Sequence, residues 1–178
     1  SLSKWLDVQL QKIVHLCPSY LKDSWHFLND IKKFGKTTKA YKLIIFDANA
    51  MYTNINTDHV IDTLHKWFKQ HKKDLPSDFK TELILKGIEC LMKHNVFTFG
   101  DRYCLQKNGT AMGINVACMY ATIYYRYHEE NSLLHLPYIK FYHRLIDDAF
   151  IIVEDTPEVF QNISNATDDF GPVGKRLT

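Results

Sequence analysis

The sequence predicts an α+β fold in which an antiparallel sheet is covered by helices on one side. Three observations lead there. Helical stripes and short strands follow one another without a regular strand-helix-strand repeat. Two pairs of apolar runs are joined closely enough to be hairpins. Glycine and proline are scarce, 7 and 5 of 178 residues, which disfavours long unstructured linkers. A composition that is 46% hydrophobic and 24% charged suits one domain with a real core.

Each element has its own signal. Trp5, Leu6, Val8 or Leu10, Ile13 and Val14 recur at helical spacing, and Pro18 closes that segment. Residues 19–31 read as a second helix with Leu21, Trp25, Phe27, Leu28 and Ile31 facing inward. LIIF (43–46) is a continuous apolar run, the mark of a strand covered on both faces, and it leads straight into Asp47. NINT (54–57) supplies a turn and a helix N-cap, followed by Val60, Leu64, Trp67 and Phe68 on one stripe. LPSD (75–78) breaks that helix and offers Ser77 or Asp78 to cap the next, which carries Phe79, Leu83, Ile88, Leu91 and Met92. Gly100-Asp101 lies between alternating strands as a hairpin turn. NGTAMG (108–113) is a small-residue loop before a helix over 116–131. Strand 138–146 then returns as 149–153, and a last helix covers 157–167.

The net charge of +2 permits a nucleic-acid partner without arguing for one. Its distribution is more informative. Between Ile31 and Phe46 there is no acidic residue, and Lys32, Lys33, Lys36, Lys39 and Lys42 fall in that stretch. They form a solvated face, a helix C-terminus with favourable dipole charges, or a phosphate-contacting loop. Cys17, Cys90, Cys104 and Cys118 make no C-x-x-C pair and read as small buried hydrophobes of a reducing, intracellular compartment. The nine histidines lack zinc-site spacing. No apolar run approaches the length of a membrane span, so no membrane partner is expected.

RLIDDAF (144–150) poses the functional question. Two adjacent acids stand where two core strands turn, with no glycine to supply positive φ. Either this is an acidic surface turn, or the carboxylates have a cation to hold. If the strand ending at Asp47 neighbours this hairpin, three carboxylates meet. Like charges raise one another's pKa, and a divalent cation such as Mg²⁺, which favours carboxylate oxygens, relieves the repulsion.

Three stretches together resemble the motifs of a reverse transcriptase. FDANAMYTNI (46–55) is similar to motif A, QKNGTAMG (106–113) to motif B and RLIDDAF (144–150) to motif C. The resemblance is to Penelope-like retroelement enzymes, relatives of telomerase. PSYLKDSWHFL (18–28) resembles the run that precedes motif A in that family, so the likeness spans nearly the whole chain. Leu145 stands where the family has Tyr, Ala50 where it has Ser and Cys118 where it has Pro.

The resemblance implies a polymerase-palm-like fold, with a helical lead-in from the fingers over residues 1–40 and the palm over 41–178. It implies template-directed addition of deoxynucleotides to a primer 3′-hydroxyl. Asp47 and Asp147 would be the principal ligands of two Mg²⁺ ions, with Mn²⁺ as a substitute, and Asp148 the third carboxylate. Tyr52 would be an aromatic gate crowding a 2′-hydroxyl. Gln106, Gly109, Thr110 and Gly113 would line the nucleotide and template site. Lys32, Lys33, Lys36 and Lys39 would contact the nucleic-acid backbone. The implied partners are an RNA template, a DNA primer and a dNTP, in the nucleus of a eukaryotic host. Further fingers segments are expected before Ser1, and a thumb and any endonuclease beyond Thr178, so the piece alone is expected to be inactive. FGPVGKRLT (170–178) would begin motif D. Two rivals remain: an RNA-dependent RNA polymerase palm, against which Tyr52 argues, and a non-catalytic nucleic-acid-binding relic. A plain structural α+β domain would instead keep the three carboxylates far apart.

Overall fold

The computed structural model describes residues 1–48, 51–110, 113–168 and 175–177. It divides into two compact units, each assembled from two stretches of chain: Ser1–Cys17 with Ala50–Tyr127, and Pro18–Asn49 with His128–Thr178.

The first unit is mainly helical. α1 (Leu2–Gln11), α3 (Met51–Asn54), α4 (Thr57–Gln70), α5 (Thr81–Lys93) and most of α6 (Ala117–His128) belong to it, with the hairpin of β2 (Val96–Phe99) and β3 (Arg102–Leu105). Leu6, Leu10 and Ile13 are fully buried as their spacing predicts, whereas Trp5 and Val8 are exposed. α1 lies close to α5 at Gly87, where a Cβ would come within 3.0 Å of the Leu6 side chain. Asn56 caps α4 by accepting from the His59 amide at 3.1 Å, and Val60, Leu64, Trp67 and Phe68 are all buried. α5 departs from expectation. Its N-cap is Lys80, with no side-chain cap bond, and Leu83 is exposed. Asp78 instead pairs with Lys12 at 2.7 Å. Gly100 begins the β2–β3 turn with φ +58°, as the hairpin requires.

The second unit contains the sheet. α2 (Ser24–Phe34), β1 (Tyr41–Ala48), a π turn over Glu129–Leu133, β4 (Ile139–Leu145), β5 (Asp148–Glu154), α7 (Val159–Asp168) and β6 (Lys175–Leu177) compose it. The strand order is β4-β5-β1-β6 and every pairing is antiparallel. This is the predicted mixture of antiparallel sheet and helices, a polymerase-palm-like fold. α2 starts five residues later than predicted and is capped by Asp23, which accepts from His26 N at 2.8 Å. Phe27 faces Phe141 and Phe150 of the sheet, but Trp25 is 74% exposed and Leu28 is exposed too, so only part of the predicted apolar stripe is covered.

β1 corrects a second expectation. The strand covers Tyr41–Ala48 and alternates: Ile44, Phe46 and Ala48 are buried, while Leu43 and Ile45 are 66% and 56% exposed. A continuous apolar run thus became a one-sided strand, because antiparallel neighbours do not require cover on both faces. The thiols also differ from expectation. All four cysteines are free, yet only Cys17 is buried and Cys90 is exposed. Among the described residues no helix is long and apolar enough to cross a membrane.

Candidate catalytic carboxylate site

The sheet register brings Asp47, Asp147 and Asp148 to one place. β1 and β5 run antiparallel with Asp47 directly opposite Asp148, followed by Phe46 opposite Ala149 and Ile45 opposite Phe150. The Ala48 amide donates to the Asp147 carbonyl at 3.1 Å, which carries the pairing into the turn. Directly opposed residues of an antiparallel pair hold their Cβ atoms about 5 Å apart, where like charges repel. Asp47 registers this: its carboxyl lies above the usual value, through desolvation first, then the charges of Asp147 and Asp148. The arrangement expected of a structural domain with a surface Asp-Asp turn, with Asp47 far away, is absent.

The turn itself sits one residue earlier than the sequence suggests. Leu145 pairs with Asp148, so the two-residue loop is Ile146-Asp147, and Asp148 already belongs to β5. Asp147 is therefore presented by the turn and Asp148 by the strand. Ile146 has φ +58°, while Asp147 does not have positive φ, the pattern of a II′ hairpin turn. That first position normally takes glycine, and a β-branched residue there is strained. Arg144 Nη1 donates to the Ile146 carbonyl at 2.7 Å. Arg144 is anchored in turn, its amide donating to Ser19 O at 2.8 Å and its carbonyl accepting from Leu21 N at 2.9 Å.

Asp47 and Asp148 are exposed and Asp147 is partly so, which leaves them open to a ligand. Among the described residues no three His, Cys, Asp or Glu side chains form a ready-made metal cage. The carboxylates are neighbours through strand register, not through oxygens already converged on one point. As a donor set they still suit a hard divalent cation, because Mg²⁺ commonly takes one or two protein carboxylates and completes its shell with water and substrate phosphate. A cavity of about 320 Å³ adjoins Asp148, lined by Leu21, Phe27, Ile45, Leu145 and Phe150 with His143 at its side.

Residues 106–110 and Gly113 belong to the other unit and are built against their own surroundings. Gly109 has φ +77°, and a Cβ there would sit 2.6 Å from the Tyr52 carbonyl and 2.8 Å from Thr53 Cα. The adjacent Thr110 amide donates to that same Tyr52 carbonyl at 2.6 Å. The glycine thus lets the loop dock on the backbone of α3, a use the sequence did not suggest. Tyr52 is half-buried; its phenolic charge is one reason, after burial, that the Tyr120 hydroxyl is held above its usual value. Gln106 is tied into its own loop, accepting from Asn95 Nδ2 at 2.6 Å and donating to Asn108 O at 2.9 Å. Gly113 has φ +96° with open space around it. Ala50, Ala111, Met112 and residues 169–174 and 178 lie outside the described residues, so the Ser-to-Ala departure and the start of motif D fall there.

The lysines are less isolated than their sequence suggests. Lys32 and Lys33 close the last turn of α2 rather than lying in a loop. Lys33 pairs with Asp30 at 2.7 Å, Lys42 with Asp155 at 2.6 Å, and Lys39 approaches Glu154 at 4.0 Å. Asp30 is a helical neighbour of Lys33, whereas Glu154 and Asp155 are distant in sequence and meet the basic stretch only in space.

Comparison with known proteins places the fold. No family model matches the sequence, and no curated protein matches it. Among solved structures, apo telomerase from Candida tropicalis aligns over 99% of this chain with a TM-score of 0.71 and 15% identity. Telomerase from Candida tropicalis in complex with a fragment of telomeric RNA gives 0.70 at 15%, and the corresponding Candida albicans complex 0.70 at 14%. The chain spans about a third of the length of each of these telomerases, 32% to 34%. At such identity the likeness shows a shared fold.

Proposed function

We propose that the chain is the palm of a reverse transcriptase of the Penelope-like kind, which extends a DNA primer with dNTPs on an RNA template. The observation that carries this is the register placing Asp47 opposite Asp148 beside the Asp147 turn; desolvation first, and then the charges of Asp147 and Asp148, raise the Asp47 carboxyl. The telomerase fold and the motif order support it, and RNA in two of the telomerase structures supports RNA as a partner. The remaining fingers, the thumb and any endonuclease would belong to a longer protein, acting in the nucleus.

Asp47 and Asp147 would hold two Mg²⁺ ions, with Asp148 assisting. When bound, such ions activate the attacking hydroxyl and neutralise charge on the transferred phosphate. The chain's own groups supply position. The turn presents Asp147 from a fixed backbone, and the pairing of β1 with β5 holds Asp47 beside it. Tyr52 would crowd a ribose 2′-hydroxyl and so favour deoxynucleotides. The loop of Gln106, Gly109, Thr110 and Gly113 would line the nucleotide and template site. Lys32, Lys33, Lys36 and Lys39 would meet backbone phosphates, a contact weakened by salt.

A second reading, a nucleic-acid-binding relic without catalysis, draws on the lack of a preformed three-ligand cage among the described residues. Mn²⁺ titration followed by electron paramagnetic resonance separates the two. The polymerase reading expects saturable binding that Asp47→Asn and Asp147→Asn each abolish, and Mg²⁺-dependent primer extension by the full-length protein. RNA binding that persists with neither metal binding nor extension would establish the relic.

A further inference from the structure

A buried ion pair stands directly behind the carboxylate turn. Glu129, first residue of the π turn, is fully buried and Arg144 is 1% exposed. Arg144 Nε donates to Glu129 Oε1 at 2.5 Å, and the Tyr142 hydroxyl donates to the same oxygen at 2.6 Å. Ser19 Oγ donates to Glu129 Oε2 at 3.1 Å. Burial, then the Glu129 charge, holds the Tyr142 phenol well above its usual value, so it remains a protonated donor. The other arm of the guanidinium reaches the Ile146 carbonyl.

Stability does not account for this pair. Two buried charges cost desolvation that their attraction barely recovers, and well-packed apolar replacements are often as stable. What an apolar pair could not do is grip a backbone carbonyl in the turn. A guanidinium donates in two directions from one rigid plane, so it can hold Glu129 and Ile146 O together; an ammonium is a single point. The gripped carbonyl belongs to the peptide that enters Asp147, and the residue bearing it is the only described non-glycine with positive φ. Strain of this kind persists where surrounding contacts over-determine it. π turns, too, are frequent at functional sites.

We propose that Arg144 and Glu129 are positioning residues: their buried pair clamps the Ile146–Asp147 peptide so that Asp147 and Asp148 stand beside Asp47 in the geometry that takes a divalent cation. The clamp rests on the palm reading for its purpose, though not for its existence.

The test replaces the clamp without emptying the core. In the full chain, Arg144→Met, Glu129→Leu and Tyr142→Phe are combined and compared with Arg144→Lys. Three readouts are taken: thermal unfolding, Mn²⁺ affinity, and hydrogen exchange of the Ala48 amide that donates to Asp147 O. The triple variant is expected to fold with a midpoint near the wild type. It should lose about 10- to 100-fold in Mn²⁺ affinity, the usual effect of removing groups that orient metal ligands. The Ala48 amide should exchange faster. Arg144→Lys should behave alike, because charge alone does not restore the grip. Should the triple variant fail to fold, Arg144→Lys decides the matter by the same readouts. A folded variant with unchanged Mn²⁺ affinity and an unchanged Ala48 amide overturns the clamp. If the wild type itself shows no Mn²⁺ binding sensitive to Asp147→Asn, the palm reading falls instead. Ala48 exchange then decides the clamp alone.

Discussion

Two hairpins in this chain share a loop length and a backbone and differ in chemistry. Gly100-Asp101 joins β2 to β3, and Ile146-Asp147 joins β4 to β5. The first loop residue has φ +58° in both. At Gly100 a side chain would meet only open space, and the surrounding hairpin is exposed, with Phe99 at 77% and Tyr103 at 82%. At Ile146 the same φ is carried by a β-branched residue, in a hairpin whose strands lie in a four-stranded sheet and whose turn carbonyl is held by a buried arginine. Turn preferences govern where the backbone is otherwise free. Where a network imposes the conformation, the sequence can place a residue that the turn alone would reject.

Five substitutions sharpen or break that contrast. Arg144→Met alone should have the largest effect, because it leaves the Glu129 charge buried without its cation. About 3–5 kcal/mol of stability should be lost in denaturant unfolding, against little for the triple apolar replacement. Gly109→Ala comes next. The strained φ and the contact with Tyr52 O should together cost about 2–4 kcal/mol, whereas Gly113→Ala, strained but unobstructed, should cost only about 1 kcal/mol. The exchange of turn residues follows. Gly100→Ile should destabilise by about 1–2 kcal/mol without touching Mn²⁺ affinity. Ile146→Gly should leave stability level or slightly higher and weaken Mn²⁺ binding. Equal metal affinity in both would show that the strained turn is incidental.

The smallest effect concerns Asp47. Its folded pKa is raised, so within the interval between the unfolded value and that raised value the folded state binds more protons than the unfolded one. Stability should fall as pH rises through that interval, and the penalty should persist at neutral pH. Asp47→Asn should therefore raise the metal-free unfolding midpoint slightly at pH 7 and leave it unchanged below the carboxylate range. Saturating Mn²⁺ should reverse the order, stabilising the wild type over the variant. An Asp47→Asn midpoint that tracks the wild type at every pH would argue that the three charges do not interact.

Local chemistry was legible from the sequence. The Asn56 cap, the Val60-to-Phe68 stripe, the Gly100-Asp101 turn and the hairpin of β4 and β5 each follow from residues near one another in the chain, where propensity and periodicity act directly. The motif order identified Asp47, Asp147 and Asp148 as a set. It could not show that Asp47 faces Asp148, since about a hundred residues separate them and only sheet register brings them opposite. Position 146 misled for a related reason: glycine rules describe an isolated turn, and the force holding Ile146 comes from Arg144 and, behind it, Glu129. LIIF misled because an apolar run does not reveal which of its faces a partner covers. The basic stretch looked unopposed because Glu154 and Asp155 approach it only once the sheet has formed. By itself the sequence determined most of the elements, the Asn56 cap and the chemical identity of the carboxylates, because those depend on neighbours along the chain. Tertiary structure alone decided which carboxylates meet, which lysines are neutralised and what holds the turn, because those depend on contacts between residues that the chain keeps far apart.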